Sequence, residues 1–198
     1  MELRARMRRL RRRLTPSERR AAARAAARRL ARTALFRRAR HLAAYLPVGG
    51  EADPRPLIEL AWRCGKRVYL PVVDAVHGRR LGFAPYAPAT ALRPNRWGIP
   101  EPARALALRP PQRLDLVIVP LVAFDTCGNR LGMGAGYYDR SFAFLRRRRW
   151  RRPRLVGLAY AFQEVPRLEA RPWDVPLDAV LTERGLRVFA ATGGRNGP

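Results

Sequence analysis

The feature that most constrains the fold is an apolar run, LDLVIVPLVAF, at positions 114–124. Asp115 is its only charged residue, and such a run is typical of a strand that is covered on both faces of a parallel sheet. Short apolar segments punctuated by proline and glycine alternate with helical patterns around it. This alternation predicts an α/β sandwich with a mixed, mostly parallel sheet, in which the run is the central strand.

The other elements follow from the same patterns. Strands are predicted at 41–47, 66–73, 80–86 and 155–160, helices at 54–65 and 137–148, and a long irregular segment at 85–111. An irregular segment of that length in a compact domain is usually functional or mobile.

Two helices are predicted ahead of the sheet. Apolar residues at intervals of four, three and four line one face of the first helix, with arginines on the rest: Leu3, Met7, Leu10 and Leu14. The segment Thr15-Pro16-Ser17-Glu18 has the pattern of a capping box and predicts a second helix to about Phe36. We expect residues 1–36 to pack on the α/β core of a single domain over 1–190, followed by a flexible tail at 191–198.

The charge balance admits more than one class of function. The chain has 41 Lys and Arg residues against 15 Asp and Glu, a formal charge of +26, and Lys66 is its only lysine. This charge would attract nucleic acid, anionic membranes or small phosphorylated ligands. The bias toward arginine equally fits genome-wide compositional drift, because a point charge can also be supplied by lysine.

One alternative is therefore a nucleic-acid-binding protein that uses residues 4–40 as a basic helical arm. The sequence has no known nucleic-acid-binding module, and it lacks the interleaving of aromatic and basic residues expected of a base-stacking surface. The enzyme alternative takes its support from the segment that follows the apolar run.

Cysteine content and hydropathy indicate the compartment. Cys64 and Cys127 are too few for a disulfide framework or a four-thiolate metal site, which favours a reducing compartment. No stretch approaches the ~20 apolar residues that span a bilayer, and the N-terminus lacks the apolar stretch of a signal peptide. We expect a cytoplasmic monomer without a membrane partner.

The segment GNRLGMGAG at 128–136 is the strongest candidate for a ligand site. Three glycines alternate with Met133 and Ala135, so the backbone can reach positive φ and approach a ligand closely. Amide groups of such a loop, the start of the next helix, Arg130 and Arg140 would suit a phosphate. The spacing matches neither the Walker nor the dinucleotide motif, and a tight strand-to-helix connection is the structural alternative.

Three carboxylates could contribute to the same site. Asp139 falls in the first turn of the helix, where it would lie beside a Mg²⁺ ion held by a bound triphosphate, and Asp174 could be a second ligand. The structural alternatives are a helix-dipole role for Asp139 and turn formation for Asp174. Glu51 follows a glycine turn at the expected carboxyl edge of the sheet, where α/β proteins bind ligands, although it could simply start a helix.

Aromatic residues and nucleophile motifs give weaker evidence about the function. Trp97, Tyr137 and Tyr138 could supply flat contacts to a bicyclic ring, or could serve only in packing. The sequence contains no HExxH, CxxC or GxSxG motif, so a histidine-dependent hydrolase is disfavoured.

Four segments taken together resemble the 5-formyltetrahydrofolate cyclo-ligase family, also called methenyltetrahydrofolate synthetases. They are VPLVAFDTCGNRLGMGAGYYDR, WGIPEP, LPVGGEADPRPLI and GLAYAFQEVPRLEARPWDVPLDAVLTE. The resemblance extends from the N-terminal helix to about Glu183. It implies a three-layer α/β sandwich of the NagB/RpiA/CoA transferase type, with the N-terminal helices added to it.

The resemblance also implies the reaction. It is the ATP- and Mg²⁺-dependent conversion of 5-formyltetrahydrofolate to 5,10-methenyltetrahydrofolate, with release of ADP and phosphate. The formyl oxygen would be phosphorylated, and N10 would then attack the formyl carbon and close the ring.

Residue roles are implied position by position. ATP is expected to contact Arg4, Arg130, Leu131, Gly132, Met133, Gly134, Ala135, Gly136, Tyr137 and Tyr138. The folate is expected to contact Glu51, Trp97 and Tyr138, the metal Asp139 and Asp174, and the catalytic residues are expected to be Arg130, Tyr138 and Asp139. Many members have Arg or Lys at the positions of Met133 and Ala135, so we expect the phosphate site here to depend more on loop amides, Arg130 and Arg140.

Overall fold

The computed structural model describes residues 2–73, 80–95, 98–103, 107–147 and 152–190. The helices are α1 (Glu2–Arg13), α2 (Pro16–Ala31), α3 (Ala34–Arg38), α4 (Arg55–Arg63) and α5 (Tyr137–Phe142). The strands are β1 (His41–Ala43), β2 (Arg67–Val73), β3 (Leu81–Tyr86), β4 (Leu92–Pro94), β5 (Pro100–Pro102), β6 (Leu116–Pro120), β7 (Ala123–Phe124), β8 (Arg130–Leu131), β9 (Arg154–Leu158), β10 (Ala179–Leu181) and β11 (Leu186–Val188). The expected tail at 191–198 lies outside the described residues.

Seven of these strands form one sheet in the order β11-β10-β9-β6-β1-β2-β3. The five inner strands are parallel, and β3 and β11 run antiparallel at the two edges. The short antiparallel pairs β4–β5 and β7–β8 lie outside this sheet. The prediction of a mixed, mostly parallel sheet is confirmed.

The apolar run supplies β6, whose side chains alternate between two buried layers. Leu116 and Ile118 pack in a cluster with Leu30 of α2 and Ile58 of α4. Val117 and Val119 pack in a second cluster on the opposite face, which includes Phe142 of α5. The middle of β6 is fully buried because both faces of the sheet are covered, and the result is the expected three-layer arrangement.

The run at 114–124 is nevertheless not one continuous strand. β6 ends at Pro120, and β7 pairs instead with β8, an arrangement supported by a hydrogen bond from Val122 N to Leu131 O at 2.7 Å. The carbonyl of Leu121 is occupied by side-chain donors from elsewhere in the chain. An apolar pattern gives no sign of this break.

Three other predicted boundaries are also corrected. The second helix was expected to reach Phe36, but α2 ends at Ala31 because the Thr33 hydroxyl donates to Leu30 O and accepts from Phe36 N, which starts α3. The helix expected at 137–148 is α5 followed by a 3₁₀ turn, Ala143–Arg146. The irregular segment at 85–111 contains the β4–β5 hairpin.

The first helix agrees with the expected span but not with the expected distribution of arginines. Met7 is buried in a cluster with Val122 and Ala123, as the apolar spacing predicts. Arg4 and Arg11 lie on this inward side, and Arg11 is only 2 % exposed. The prediction that arginines cover only the outer face is therefore wrong at these two positions.

The capping box at Thr15 forms as expected, with Glu18 Oε2 accepting from Thr15 N at 2.7 Å and Glu18 N donating to Thr15 Oγ1 at 3.2 Å. Among the described residues, none of the helices combines the length and apolar character that crossing a bilayer would require.

A glycine substitution tests the turn between β7 and β8. Gly128 has φ +86°, and a Cβ there would lie 2.9 Å from the carbonyl oxygen of Leu177. We expect Gly128→Ala to lower the free energy of unfolding by about 2 kcal/mol, because both the backbone conformation and the close contact become strained. Urea denaturation measures the loss. Gly185→Ala is the matched control, since its Cβ would meet open space, and a loss as large in the control would contradict this reasoning.

Candidate active site

A cleft of about 1430 Å³ opens at the carboxyl edge of the parallel strands. Its lining includes Val73 at the end of β2, Pro120 at the end of β6, and the start of α1. The segment after β9 adds Leu168, Trp173 and their neighbours. Ligands of open α/β sheets bind at this edge, so the cleft lies where the sequence predicted a site.

The glycine loop, defined as residues 132–136, joins β8 to α5 and lines the cleft. Gly134 and Gly136 have φ of +108° and +65°, a region that only glycine enters at low cost. A Cβ at Gly132 or Gly134 would have no neighbour within 4 Å. The loop backbone therefore borders open space that a ligand can approach closely.

Arginines hold the loop through its carbonyl groups. Arg4 Nε donates to Gly132 O at 2.9 Å, which joins α1 to the loop. Arg140 Nη2 donates to Ala135 O at 2.7 Å, and its guanidinium lies 5.2 Å from the centre of the Tyr137 ring. These bonds use loop carbonyls and not loop N–H groups. Because α5 is only six residues long, anion binding here would depend on arginines and loop amides more than on a helix dipole.

An ion pair joins Arg130 and Asp139 beside the loop. Arg130 Nη2 lies 2.6 Å from Asp139 Oδ1, and the arginine side chain is only 6 % exposed. Arg130 Nη1 donates to Val175 O, and Val175 N donates to Asp139 Oδ1 at 3.1 Å. The structure thus brings together two of the predicted catalytic residues and anchors both to the Val175 backbone.

Asp174, the other predicted metal ligand, directly precedes Val175 and lines the cleft. Its Oδ2 accepts from Arg171 N at 2.9 Å, so the carboxylate closes a turn. Across the described part of the chain, no group of three or more His, Cys, Asp or Glu side chains is arranged to hold a metal ion. The two aspartates are close in the fold but do not form a metal centre from protein groups alone.

Glu51 follows the Gly49-Gly50 turn after β1 and lines the cleft with 9 % of its surface exposed. Val48 N donates to Glu51 Oε2 at 3.2 Å. Burial raises the pKa of Glu51, while the Val48 N–H and the positive charge of Arg11 act in the opposite direction. A buried carboxylate at a cleft is suited to bind a ligand's N–H groups.

Only some of the aromatic residues predicted to contact a ligand lie among the described residues. Tyr138 lines the cleft and stacks on Phe142, with ring centres 6.2 Å apart. Burial raises the pKa of Tyr138, so its hydroxyl stays protonated and can donate a hydrogen bond. Trp97 lies outside the described residues.

Comparison with known proteins decides the family. The sequence model of the 5-formyltetrahydrofolate cyclo-ligase family matches residues 1–183. The chain belongs to this family. A 5-formyltetrahydrofolate cyclo-ligase from Escherichia coli strain K12 is 42 % identical over 179 residues, which is 89 % of this chain and 96 % of that protein.

Two solved structures of 5,10-methenyltetrahydrofolate synthetases are similar to this cyclo-ligase. The NMR structure of the Aquifex aeolicus protein has a TM-score of 0.78 at 33 % identity and covers 100 % of this chain and 95 % of its own. The structure of the Mycoplasma pneumoniae protein has a TM-score of 0.71 at 25 % identity and covers 92 % and 97 %. These findings favour the enzyme over the nucleic-acid-binding alternative.

The charges around the cleft of the cyclo-ligase are balanced. The described lining residues include five acidic side chains, Glu51, Glu101, Asp139, Glu169 and Asp174, and five arginines, Arg4, Arg130, Arg140, Arg146 and Arg171. The described wall of the cleft therefore has no excess of positive charge, although the chain has a formal charge of +26.

Three residues in or near the cleft were not predicted from the sequence: Arg8, Arg11 and Trp173. Arg8 Nη2 approaches Met133 Sδ at 3.8 Å, and Trp173 lines the cleft with 55 % of its surface exposed. Arg11 follows Arg4 by seven positions, so the two lie on the same face of α1. That spacing is the signal in the sequence that could have placed Arg11 on the buried side.

The raised pKa of Glu51 predicts how stability responds to pH. A carboxyl whose pKa is higher in the folded state than its ordinary value of 4.5 lowers stability as pH rises above 4.5, until the folded group has fully ionised. We expect Glu51→Gln to lose less stability than the unchanged protein as pH rises above 4.5, because glutamine does not ionise.

Unfolding midpoints in urea across that pH range measure this difference. Glu169→Gln, an exposed carboxylate on the same cleft, is the control and should follow the unchanged protein. If the Glu51→Gln and Glu169→Gln curves coincided, burial would not be controlling Glu51.

Proposed function

We propose that this cyclo-ligase converts 5-formyltetrahydrofolate to 5,10-methenyltetrahydrofolate and consumes MgATP in doing so. The observation that carries the proposal is that the family match over residues 1–183 contains all the described residues of the cleft. The names of the relatives refer to the same reaction.

The triphosphate is proposed to bind along the glycine loop. Support comes from the open space at Gly132 and Gly134, and from the buried guanidinium of Arg130 at the end of the loop. The planar fork of arginine matches pairs of phosphate oxygens. The residues expected to contact ATP, which are Arg4 and 130–138, all line the cleft.

Asp139 and Asp174 fit a magnesium ion that arrives with the triphosphate. Mg²⁺ is usually bound by one or two carboxylates together with phosphate oxygens and waters, so the lack of a preformed cluster among the described residues is compatible with it. Asp139 would hold the ion and Asp174 would add a second carboxylate. When bound, the ion supplies positive charge that balances the charge developing on the transferred phosphoryl group.

The folate is proposed to bind on the Glu51 side of the cleft. The Glu51 carboxylate would accept hydrogen bonds from N–H groups of the reduced pterin, and burial strengthens such bonds because water does not compete. Tyr138, whose hydroxyl stays protonated, lines the cleft near enough to Glu51 and Arg130 for both charges to act on it, and it would donate to an oxygen of either substrate.

The proposed reaction needs no nucleophile from the protein. The formyl oxygen attacks the γ-phosphorus of ATP, and the bond from that phosphorus to the β–γ bridging oxygen breaks, so that ADP leaves. N10 then attacks the formyl carbon and loses its proton, and the carbon–oxygen bond to phosphate breaks to give the methenyl ring. The protein contributes orientation and charge stabilisation, which suits a cleft with paired charges and no activated Ser, Cys or Lys in the expected set.

We also propose that the enzyme is a cytoplasmic monomer. The two cysteines, Cys64 and Cys127, are free and exposed, as a reducing compartment would allow.

A single assay tests the function. Purified protein mixed with 5-formyltetrahydrofolate, ATP and Mg²⁺ is expected to produce the absorbance of the methenyl product, and the reaction should stop when either ATP or the folate is omitted. An absorbance change that proceeds equally without ATP, or no change at all, would refute the proposal.

Asp139→Asn tests the proposed metal role. We expect kcat to fall by roughly 100-fold or more, and the Mg²⁺ concentration for half-maximal rate to rise, because the amide is a weaker ligand and carries no charge. Initial rates over a series of Mg²⁺ concentrations give both values. Thermal unfolding checks that weakening the contact with Arg130 has not destabilised the fold.

The matched control for this variant is Glu169→Gln, a carboxylate on the same cleft with no proposed role. It should retain the Mg²⁺ dependence of the unchanged enzyme. An unaltered Mg²⁺ dependence in Asp139→Asn would remove this residue from the metal site.

A further inference from the structure

Arg11 is a buried cation to which the proposed reaction gives no task. It lies in the second half of α1 with 2 % of its surface exposed, and it is not among the residues that line the cleft. Burying a charge is costly unless hydrogen bonds and an opposite charge compensate. The surroundings of Arg11 therefore indicate what it does.

Hydrogen bonds attach Arg11 to the end of the central strand and to α2. Arg11 Nη2 donates to Leu121 O, just beyond β6, and the same carbonyl accepts from Gln163 Nε2 at 3.1 Å. Arg11 O accepts from Arg19 Nη2 at 2.8 Å. The Nε atoms of Arg11 and Arg19 are both buried without a hydrogen-bond partner among the described residues. Each of these two guanidinium groups is thus held by its Nη2 donor, while its Nε donor has no partner among the described residues.

The turn that carries Glu51 packs directly on these arginines. A Cβ at Gly50 would lie 3.5 Å from Arg11 Cβ and 3.6 Å from each terminal nitrogen of Arg19. The Tyr160 hydroxyl donates to Glu51 O at 3.4 Å, and the Tyr45 hydroxyl donates to Ala52 O at 2.5 Å. Two arginines therefore pack near the turn, and two tyrosines bond to its backbone or to the next residue.

Titratable and charged groups from several elements act on Glu51 or on the residues near it. The titratable and charged groups that face it or act on its neighbours are Arg8 and Arg11 from α1, Arg19 from α2, Tyr45 after β1, Asp53 before α4, Arg130 from β8, Tyr138 from α5, Tyr160 after β9, and Glu183 after β10. The positive charge of Arg11 lowers the pKa of Glu51 and so opposes the effect of burial. Arginine stays protonated throughout the pH range in which a carboxyl titrates.

We propose that Arg11 is a positioning residue of the folate site, which packs against the Gly49-Gly50-Glu51 turn and favours ionisation of the Glu51 carboxyl without touching the substrate. The identity of the ligand rests on the proposed function, whereas the coupling between Arg11 and Glu51 does not. Arg4 and Arg11, two turns apart on one helix face, then support different halves of the cleft. Arg4 fixes the glycine loop, and Arg11 packs against the turn that carries Glu51.

Titration of the Glu51 carboxyl by ¹³C NMR, in the full chain without substrate, tests the coupling. Glu51→Gln identifies the resonance by its disappearance. Arg11→Met removes the charge but keeps an unbranched side chain, and we expect the titration midpoint of Glu51 to move to higher pH. Arg12→Met changes the exposed arginine next to it and should leave the midpoint unchanged. An unmoved midpoint in Arg11→Met, or an equal movement in Arg12→Met, would overturn the proposal.

Steady-state kinetics test the consequence for binding. We expect Arg11→Met to raise KM for 5-formyltetrahydrofolate roughly tenfold, while KM for ATP changes less than about twofold. The acid limb of the pH profile of kcat/KM for the folate should move to higher pH. In a Glu51→Gln background, Arg11→Met should add no further rise in KM for the folate. Equal rises in both KM values, or additive effects of the two substitutions, would assign Arg11 a merely structural role.

Arg11→Lys keeps the proposal testable if Arg11→Met does not fold. Lysine retains the charge but has no second terminal nitrogen, so we expect the Glu51 midpoint to stay near that of the unchanged protein while KM for the folate rises about threefold. An unchanged KM in this variant would contradict the positioning role. Failure of the unchanged protein to form methenyl product would instead refute the proposed function, because the NMR titration needs neither substrate nor turnover.

Discussion

Parallel pairing of the five inner strands is the constraint on which the rest of the structure depends. It places the carboxyl ends of β1, β2, β6, β9 and β10 at one edge of the sheet, so the connections that leave these strands meet there. The Glu51 turn after β1 and the β7–β8 hairpin after β6 are both products of this geometry. The first helix does not belong to the sheet, and its side chains reach the same edge, as Arg4 does at the glycine loop and Arg11 at Leu121.

The sequence predicted those parts of the molecule whose physical cause is local. The central strand follows from an apolar run that needs cover on two faces, and the start of α2 follows from a capping box. The glycine loop, Asp139 in the first turn of α5, and Glu51 after a glycine turn were all predicted from short patterns. The family resemblance added residue roles, and these remain proposals at each position.

What could not be predicted depends on contacts between distant segments. The strand within the run at 114–124 ends at Pro120, and the next carbonyl, that of Leu121, accepts from the distant side chains of Arg11 and Gln163, which no periodicity in the run shows. Hydropathy assigns arginines to the surface, yet Arg11 is buried because Leu121 O and the charge of Glu51 compensate it. The ion pair of Arg130 and Asp139 likewise depends on the Val175 backbone, which is far along the chain. The balance of charge among the described residues of the cleft, within a chain of formal charge +26, is a property of the fold and not of the composition.

The hydrogen bond from Arg4 to Gly132 joins residues 128 positions apart, and it has a consequence for how the enzyme is made. The first helix leaves the ribosome early, but its docking surface does not exist until the glycine loop has also emerged. At ~5–20 residues per second, the interval is on the order of ten seconds. Until then the buried face of α1 also lacks the residues that Met7 packs against, Val122 and Ala123, which lie shortly before the loop in the chain.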